Sequence, residues 1–137
     1  MFIDASAIVA ILGREPGHEE LEKRLASSGG PFYFSPLVRF EASLGLARQK
    51  SPTKPTAELL HQARGAVDAF IEDLEAAEIG VSPEIGKQAL EACATYGKAV
   101  GHAADLNFGD CFAYACAKSL GVALLYKGAD FSHTDLA

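Results

Sequence analysis

Residues 109–126 read Gly109-Asp-Cys-Phe-Ala-Tyr-Ala-Cys-Ala-Lys-Ser-Leu-Gly-Val-Ala-Leu-Leu-Tyr126. The portion Gly109–Leu120 is nearly all apolar, so it predicts a buried helix rather than one with a broad wet face. Val122–Tyr126, β-branched and aliphatic, predicts a strand directly after it. Working outward, the remainder of the chain repeats this alternation. Phe2-Ile3-Asp4 reads as a first strand, and the helical run Ala5–Leu12 is stopped by Gly13 and Pro16. His18–Ala26 reads as a second helix, broken by Gly29-Gly30-Pro31. Phe32-Tyr33-Phe34 is a second strand, after which Pro36 opens a helix to about Gln49. The prolines of Lys50-Ser-Pro-Thr-Lys-Pro55 mark a turn.

From Ala57 to Ala77 the apolar positions Leu60, Ala63, Val67, Phe70, Ile71 and Leu74 follow a period near 3.6, predicting a long amphipathic helix. Ile79-Gly-Val81 suits a third strand. Ser82 can cap and Pro83 can open a further helix, with Ile85, Ala89, Cys93 and Tyr96 on one face. Gly97 to Phe108 reads mostly as loop. Strands and helices alternating four times predict a mainly parallel sheet covered on both faces, a three-layer α/β/α sandwich. No repeat, low-complexity tract or linker divides residues 1–137, so a single domain is expected.

The composition narrows the function classes. With 137 residues, 49% of them hydrophobic, the chain can bury roughly two-thirds of its unfolded surface, which excludes a disordered chain. No apolar run approaches the ~20 residues of a membrane span. The first residues lack a cationic region and place Asp4 inside the apolar run, unlike a signal peptide. Three cysteines without C-x-x-C spacing indicate neither a disulfide frame nor a zinc ribbon, and a reducing, cytoplasmic location is expected. The net charge of −6 opposes nucleic-acid binding. A polyanionic substrate would need a local remedy, such as a bound metal or a small basic patch.

In a parallel α/β fold ligands gather outside the carboxyl ends of the strands, so the acids there come first. Asp4 ends the first strand, where it can cap the next helix, although Ser6 could cap equally well and leave Asp4 free. Glu41 lies among Leu37 and Leu44 on its helix. An ionised carboxylate buried there without a partner is costly, unless it sits at the edge of the stripe or pairs with Arg39 or Arg48. Asp110 falls at a helix start, which favours a carboxylate electrostatically. Asp130 follows the last strand in Lys127-Gly-Ala-Asp-Phe131, where a turn role is the simpler reading. Together these acids would repel: two charges ~4 Å apart cost about 4 kcal/mol at an effective dielectric near 20. Such a group makes sense around a cation, and oxygen ligands without His or Cys select Mg²⁺ or Mn²⁺ over zinc.

At these residues the chain resembles PIN-domain ribonucleases, specifically the VapC type of toxin from type II toxin–antitoxin systems. Phe2-Ile-Asp-Ala-Ser-Ala-Ile-Val is similar to the family's first motif. Tyr96-Gly-Lys, Leu106-Asn-Phe-Gly-Asp-Cys-Phe-Ala-Tyr-Ala and Leu125-Tyr-Lys-Gly-Ala-Asp-Phe-Ser-His-Thr-Asp-Leu resemble one VapC subgroup. With Glu41 placed, the likeness covers the whole chain. It implies a compact α/β/α fold and divalent-metal-dependent endoribonuclease activity, leaving a 5′-phosphate and a 3′-hydroxyl. The family's acidic quartet maps onto Asp4, Glu41, Asp110 and Asp130, with Asp4 and Asp110 the usual direct metal ligands. Ser6 and Asn107 match polar positions near that site. Ala129 departs from the pattern, since relatives often carry an acid there, and many relatives continue past Ala137, which here could weaken a final edge strand. The resemblance also implies a cognate VapB-type antitoxin, often placing an Arg among the carboxylates.

The expected chemistry is hydrolysis of an RNA phosphodiester by metal-activated water, with Glu41 or Asp130 as general base or as ligand to a second ion. Arg48, Lys50, Lys54 and Lys127 are candidates to hold the flanking RNA backbone. A homodimer is expected, with the apolar helices around residues 37–74 as a candidate surface. Three rivals remain. A catalytically inactive PIN-like module binding RNA or protein would be expected to have lost some of the acids. A phosphotransfer or receiver domain lacks the second Asp it needs beside Asp4. A zinc site from His102 and His133 with Asp105 or Asp135 lacks any supporting H-x-x-x-H or H-E-x-x-H spacing.

Overall fold

A computed structural model describes residues 1–137. Four short strands, β1 (Phe2–Ile3), β2 (Tyr33–Phe34), β3 (Ala77–Glu78) and β4 (Leu124–Leu125), form one sheet in the order β3-β2-β1-β4. Every pairing is parallel, with Phe2 opposite Tyr33 and Leu124, and Phe34 opposite Glu78. Six helices cover it: α1 (Ala5–Leu12), α2 (His18–Ser28), α3 (Pro36–Gln49), α4 (Ala57–Asp73), α5 (Pro83–Tyr96) and α6 (Phe108–Leu120). Helices α1 to α4 pack among themselves, α5 packs on α6, and α6 touches β1, β4 and α3. This is the α/β/α sandwich the alternation predicts.

The strand order explains where a site can form. From β1 the chain winds outward through β2 to β3, then returns to place β4 on the other side of β1. The crevice at the carboxyl ends of β1 and β4 is therefore the switch point where α/β sheets bind ligands. Phe2 and Ile3 are fully buried there between helix layers. Helix α6 is as buried as its composition demands, with Gly109, Cys111, Ala113 and Ala115 to Ala117 all inaccessible.

Some boundaries depart from the sequence reading. The long helix stops at Asp73 rather than Ala77, because Glu75 adopts a left-handed φ of 52° that no helix continues through. The third strand is accordingly Ala77–Glu78, not Ile79–Val81. Its N–H groups at Ala77 and Ile79 donate to the Phe32 and Phe34 carbonyls at 2.8 Å. As an exposed edge strand held by backbone bonds, it carries no apolar signature. Helix α2 runs on to Ser28, beyond Ala26, and ends where Gly29 turns left-handed at φ 66°. Within the loop expected from Gly97 to Phe108, Lys98–Val100 form a 3-10 turn and Gly97 bridges Leu106. Phe108 itself begins α6.

Candidate active site at the carboxyl ends of the strands

Asp4 follows β1 and is the N-cap of α1, so both readings of it hold. Its Oδ2 accepts the Ser6 N–H at 3.0 Å and also the Ser6 hydroxyl. Ser6 is thus not the cap. Its Oγ in turn accepts the Lys127 N–H at 3.0 Å, joining the end of β1 to the loop after β4. Asp4 is only 4% exposed. Burial pushes its carboxyl above the usual range, the Ser6 bonds pull it back, and the charge of Asp130 adds to the rise.

Asp110 repeats the device on α6. In a capping box, Asn107 Oδ1 accepts the Asp110 N–H at 3.0 Å and Asp110 Oδ2 accepts the Asn107 N–H at 3.1 Å. Each aspartate therefore holds a helix N-terminus with Oδ2 and keeps Oδ1 free. Burial raises the Asp110 carboxyl to about 6 against its Asn107 hydrogen bond, helped by the charges of Asp4, Asp130 and Asp105.

Glu41 supplies the third carboxylate from α3. The buried stripe of that helix is Val38, Ala42, Ser43, Leu46 and Ala47, so Glu41 lies at its edge, half-buried. Neither arginine pairs with it: Arg39 reaches Asp68 and Glu78 and covers the Phe34 ring, and Arg48 is exposed. Its carboxylate instead lies over Gly109, where a Cβ would stand 2.0 Å from Oε2. Only glycine leaves room for that approach. Burial, then the charges of Asp4 and Asp110, raises Glu41 to about 7. Asp130 begins a 3-10 turn, Asp130–His133, exposed but close enough to raise both aspartates.

The four acids therefore share one electrostatic neighbourhood. As placed, no three carboxylates, histidines or cysteines close on a common point at ligating distance. The all-oxygen donors of Asp4 and Asp110 fit a hard divalent cation, and that charge would offset the burial, and with it the mutual repulsion, that lifts the carboxyls.

Beside them lies a cavity of about 360 Å³ lined by Ala5, Ser6, Val9, Glu15, Glu41, Lys127 and Gly128. Lys127 is its one cation, held by Glu15 at 2.6 Å, while Glu15 also accepts from Gln49 at 2.8 Å. Neither Glu15 nor Gly109 carries a local signal in the sequence, since each matters through a partner far along the chain. Arg48, Lys50 and Lys54 are exposed at the end of α3 and in the turn after it. The histidines stay apart: His102 Nδ1 accepts the Ala104 N–H and its ring meets Tyr96, while Asp135 is bound to Tyr114 and Lys118. Zinc has no cluster to occupy.

A PIN-domain family model matches residues 1–136. A VapC ribonuclease of Rhizobium meliloti (strain 1021) is 54% identical over 139 residues, covering 98% of each chain. Ribonuclease VapC30 of Mycobacterium tuberculosis (strain H37Rv) is 39% identical over 145 residues, covering 100% of this chain and 96% of the other. Among solved structures, the fold is similar to that of M. tuberculosis VapC20, described as a sarcin-ricin-loop-cleaving toxin. The TM-score is 0.72 at 22% identity, covering 99% of this chain and 95% of that one.

Proposed function

Since the chain belongs to the PIN-domain family, and within it to the VapC-type endoribonuclease toxins, we propose that it hydrolyses RNA phosphodiesters in a Mg²⁺- or Mn²⁺-dependent reaction centred on Asp4, Glu41, Asp110 and Asp130. Asp4 and Asp110 would hold the ion through their free oxygens. When bound, the ion supplies a lowered water pKa and neutralises charge on the scissile phosphate. Glu41 takes the proton of the attacking water. A carboxyl raised to about 7 is matched to that task near neutrality. Asp130 orients that water or adds a ligand from the β4 side. Ser6 and Asn107 position the two aspartates. The products are a 5′-phosphate and a 3′-hydroxyl.

The observation that carries this reading is Glu41, unpaired and pressed over Gly109 with Asp4 and Asp110 as its electrostatic neighbours. The test is cleavage of a structured RNA with Mg²⁺ or Mn²⁺. Asp4→Asn and Asp110→Asn are expected to abolish it, and chelation to stop the wild type. Undiminished cleavage by either variant would refute the assignment. A wild type inert with both ions would favour an inactive binding module.

The family also gives the partners: an RNA substrate and a VapB-type antitoxin. A basic antitoxin side chain, an Arg above all, suits the carboxylate pocket because a guanidinium takes the place of the metal charge. Arg48, Lys50, Lys54 and Lys127 are the proposed contacts to flanking RNA. For a homodimer, most apolar residues of α3 and α4 serve the core, but Phe40 stays exposed beside Leu44 and Leu60 and offers a contact to a second copy. A cytoplasmic setting suits the three free cysteines. No helix is long and apolar enough to cross a membrane.

A further inference from the structure

Lys127 is rooted at the edge of the carboxylate crevice by its backbone. Its N–H donates to Ser6 Oγ at 3.0 Å, and the Ser6 hydroxyl in turn donates to Asp4. Its side chain lines the same cavity of about 360 Å³ as Glu41. An ammonium on a flexible four-carbon stem, rooted one hydroxyl away from Asp4, is the natural counter-ion for this group of acids. It does not serve as one. Burial and like charges raise the carboxyls of Asp4, Glu41 and Asp110, and no cation pulls any of them down. The ammonium turns instead to Glu15, with Nζ 2.6 Å from Oε2.

Glu15 is itself held in place for that contact. It lies in the turn between α1 and α2, where Arg14 takes a left-handed φ of 52° and the Glu15 N–H donates to the Ala10 carbonyl at 2.9 Å. Its second oxygen, Oε1, accepts from Gln49 Nε2 at the end of α3, at 2.8 Å. Gly13 leaves the room for that amide, because a Cβ there would stand 1.8 Å from Gln49 Oε1. Both carboxylate oxygens are thus engaged, one by the brace and one by Lys127. The Lys127 and Glu15 side chains are 34% and 29% exposed, which places the pair at the rim of the crevice rather than inside it. An ion pair so open to water contributes little to stability. Its larger consequence is where it leaves the lysine charge. An ammonium among the four acids would take the place of a divalent ion, as a basic antitoxin side chain would.

We propose that Glu15 is a positioning residue of the nuclease centre, holding the Lys127 ammonium at the rim of the crevice and off the carboxylates. The place of the ion then stays open, and the lysine charge is presented to the RNA backbone. Gln49 braces Glu15 and belongs to the same device. The proposal rests on the metal-dependent reading above and adds what keeps a resident lysine from inhibiting it.

The test is calorimetric titration of the full chain with Mn²⁺ in the absence of RNA. Glu15→Gln removes the charge that holds Lys127 and should weaken Mn²⁺ binding on the order of tenfold, as a cation newly placed beside the acids would. Lys127→Met should bind Mn²⁺ at least as tightly as the wild type. Glu15→Gln combined with Lys127→Met should regain the wild-type affinity, a rescue that a merely structural role for Glu15 would not give. Gln49→Ala loosens Glu15 without removing its charge and should cause a smaller loss, again relieved by Lys127→Met. A Glu15→Gln protein that binds Mn²⁺ as the wild type does would overturn the proposal. A loss in either variant that Lys127→Met fails to relieve would overturn it too. Absence of Mn²⁺ binding to the wild type would instead overturn the metal-dependent reading and this proposal together, so the two failures give different results.

Discussion

The N-termini of α4 and α5 and those of α1 and α6 solve one problem with different chemistry. Thr56 and Ser82 cap α4 and α5 with hydroxyls, accepting the N–H of Leu59 and Ile85 at 3.1 and 3.2 Å. Those caps satisfy a helix and do nothing else. At α1 and α6, both at the carboxyl end of the sheet, carboxylates share the holding: Asp4 caps α1 with one oxygen, and Asp110 closes the Asn107 capping box of α6 with one oxygen. A hydroxyl would cap α1 nearly as well. The carboxylate is the choice that leaves a second oxygen outside the cap, and the raised carboxyl values of Asp110 and Glu41 record burial first and the gathering of like charges second. Capping fixes the ligands in place; the unmet charge is the function.

The largest effect should come from exchanging one chemistry for the other. Asp4→Ser keeps a competent cap but removes the ligand. RNA cleavage should fall on the order of a thousandfold, reflecting the several kcal/mol a metal centre supplies. The metal-free melting temperature should hold or rise. A parallel collapse of stability and activity would erase the distinction. Next in size is Gly109→Ala. Its methyl must displace the Glu41 carboxylate, and a misplacement of about 1 Å can cost on the order of a hundredfold in turnover, measured at saturating RNA with the fold checked by circular dichroism.

A smaller effect concerns pH. Glu41 and Asp110 rise from ordinary values of 4.5 and 3.8 to about 7 and 6 in the folded protein. The folded state thus binds their protons more tightly than the unfolded chain. Their effect is nil below pH ~4 and grows into a destabilisation as pH climbs through the two folded values. The metal-free melting temperature should drop by a few degrees between pH 5 and pH 8, as read by calorimetry. Mg²⁺ should restore it, and Glu41→Gln should flatten the slope. Smallest is Ser82→Ala, expected to cost about 1 kcal/mol of stability with cleavage per folded molecule unchanged.

Much of this was legible in the sequence where one residue's role depends on its near neighbours. The apolar run Gly109–Leu120 reads as a buried helix, and the hydroxyl cap Ser82 stands where a helix start needs it. Asp4 and Asp110 looked ambiguous between cap and ligand because each uses one oxygen as a cap. Where the reading failed, the deciding contact was distant or backbone-borne. Strand β3 is set by bonds from Ala77 and Ile79 to the carbonyls of β2 and by the left-handed Glu75, which leave no hydrophobic pattern. Gly109 matters because Glu41 arrives from another helix. Lys127 looks like a free cation until Glu15, 112 residues away in the chain, binds it. Arg39, a candidate partner of Glu41 by its place in the sequence, is bound instead by Asp68 and Glu78, both distant along the chain.

The most direct test is calorimetric titration with Mn²⁺ near pH 6.5, run in two buffers of different ionisation enthalpy. Binding to the wild type should release about one proton, because a cation drives the partly protonated Glu41 and Asp110 into their charged forms. That binding should vanish in Asp4→Ser and Asp110→Asn. Absence of binding to the wild type, or binding that survives both substitutions with the same proton release, would contradict a shared divalent site at these acids.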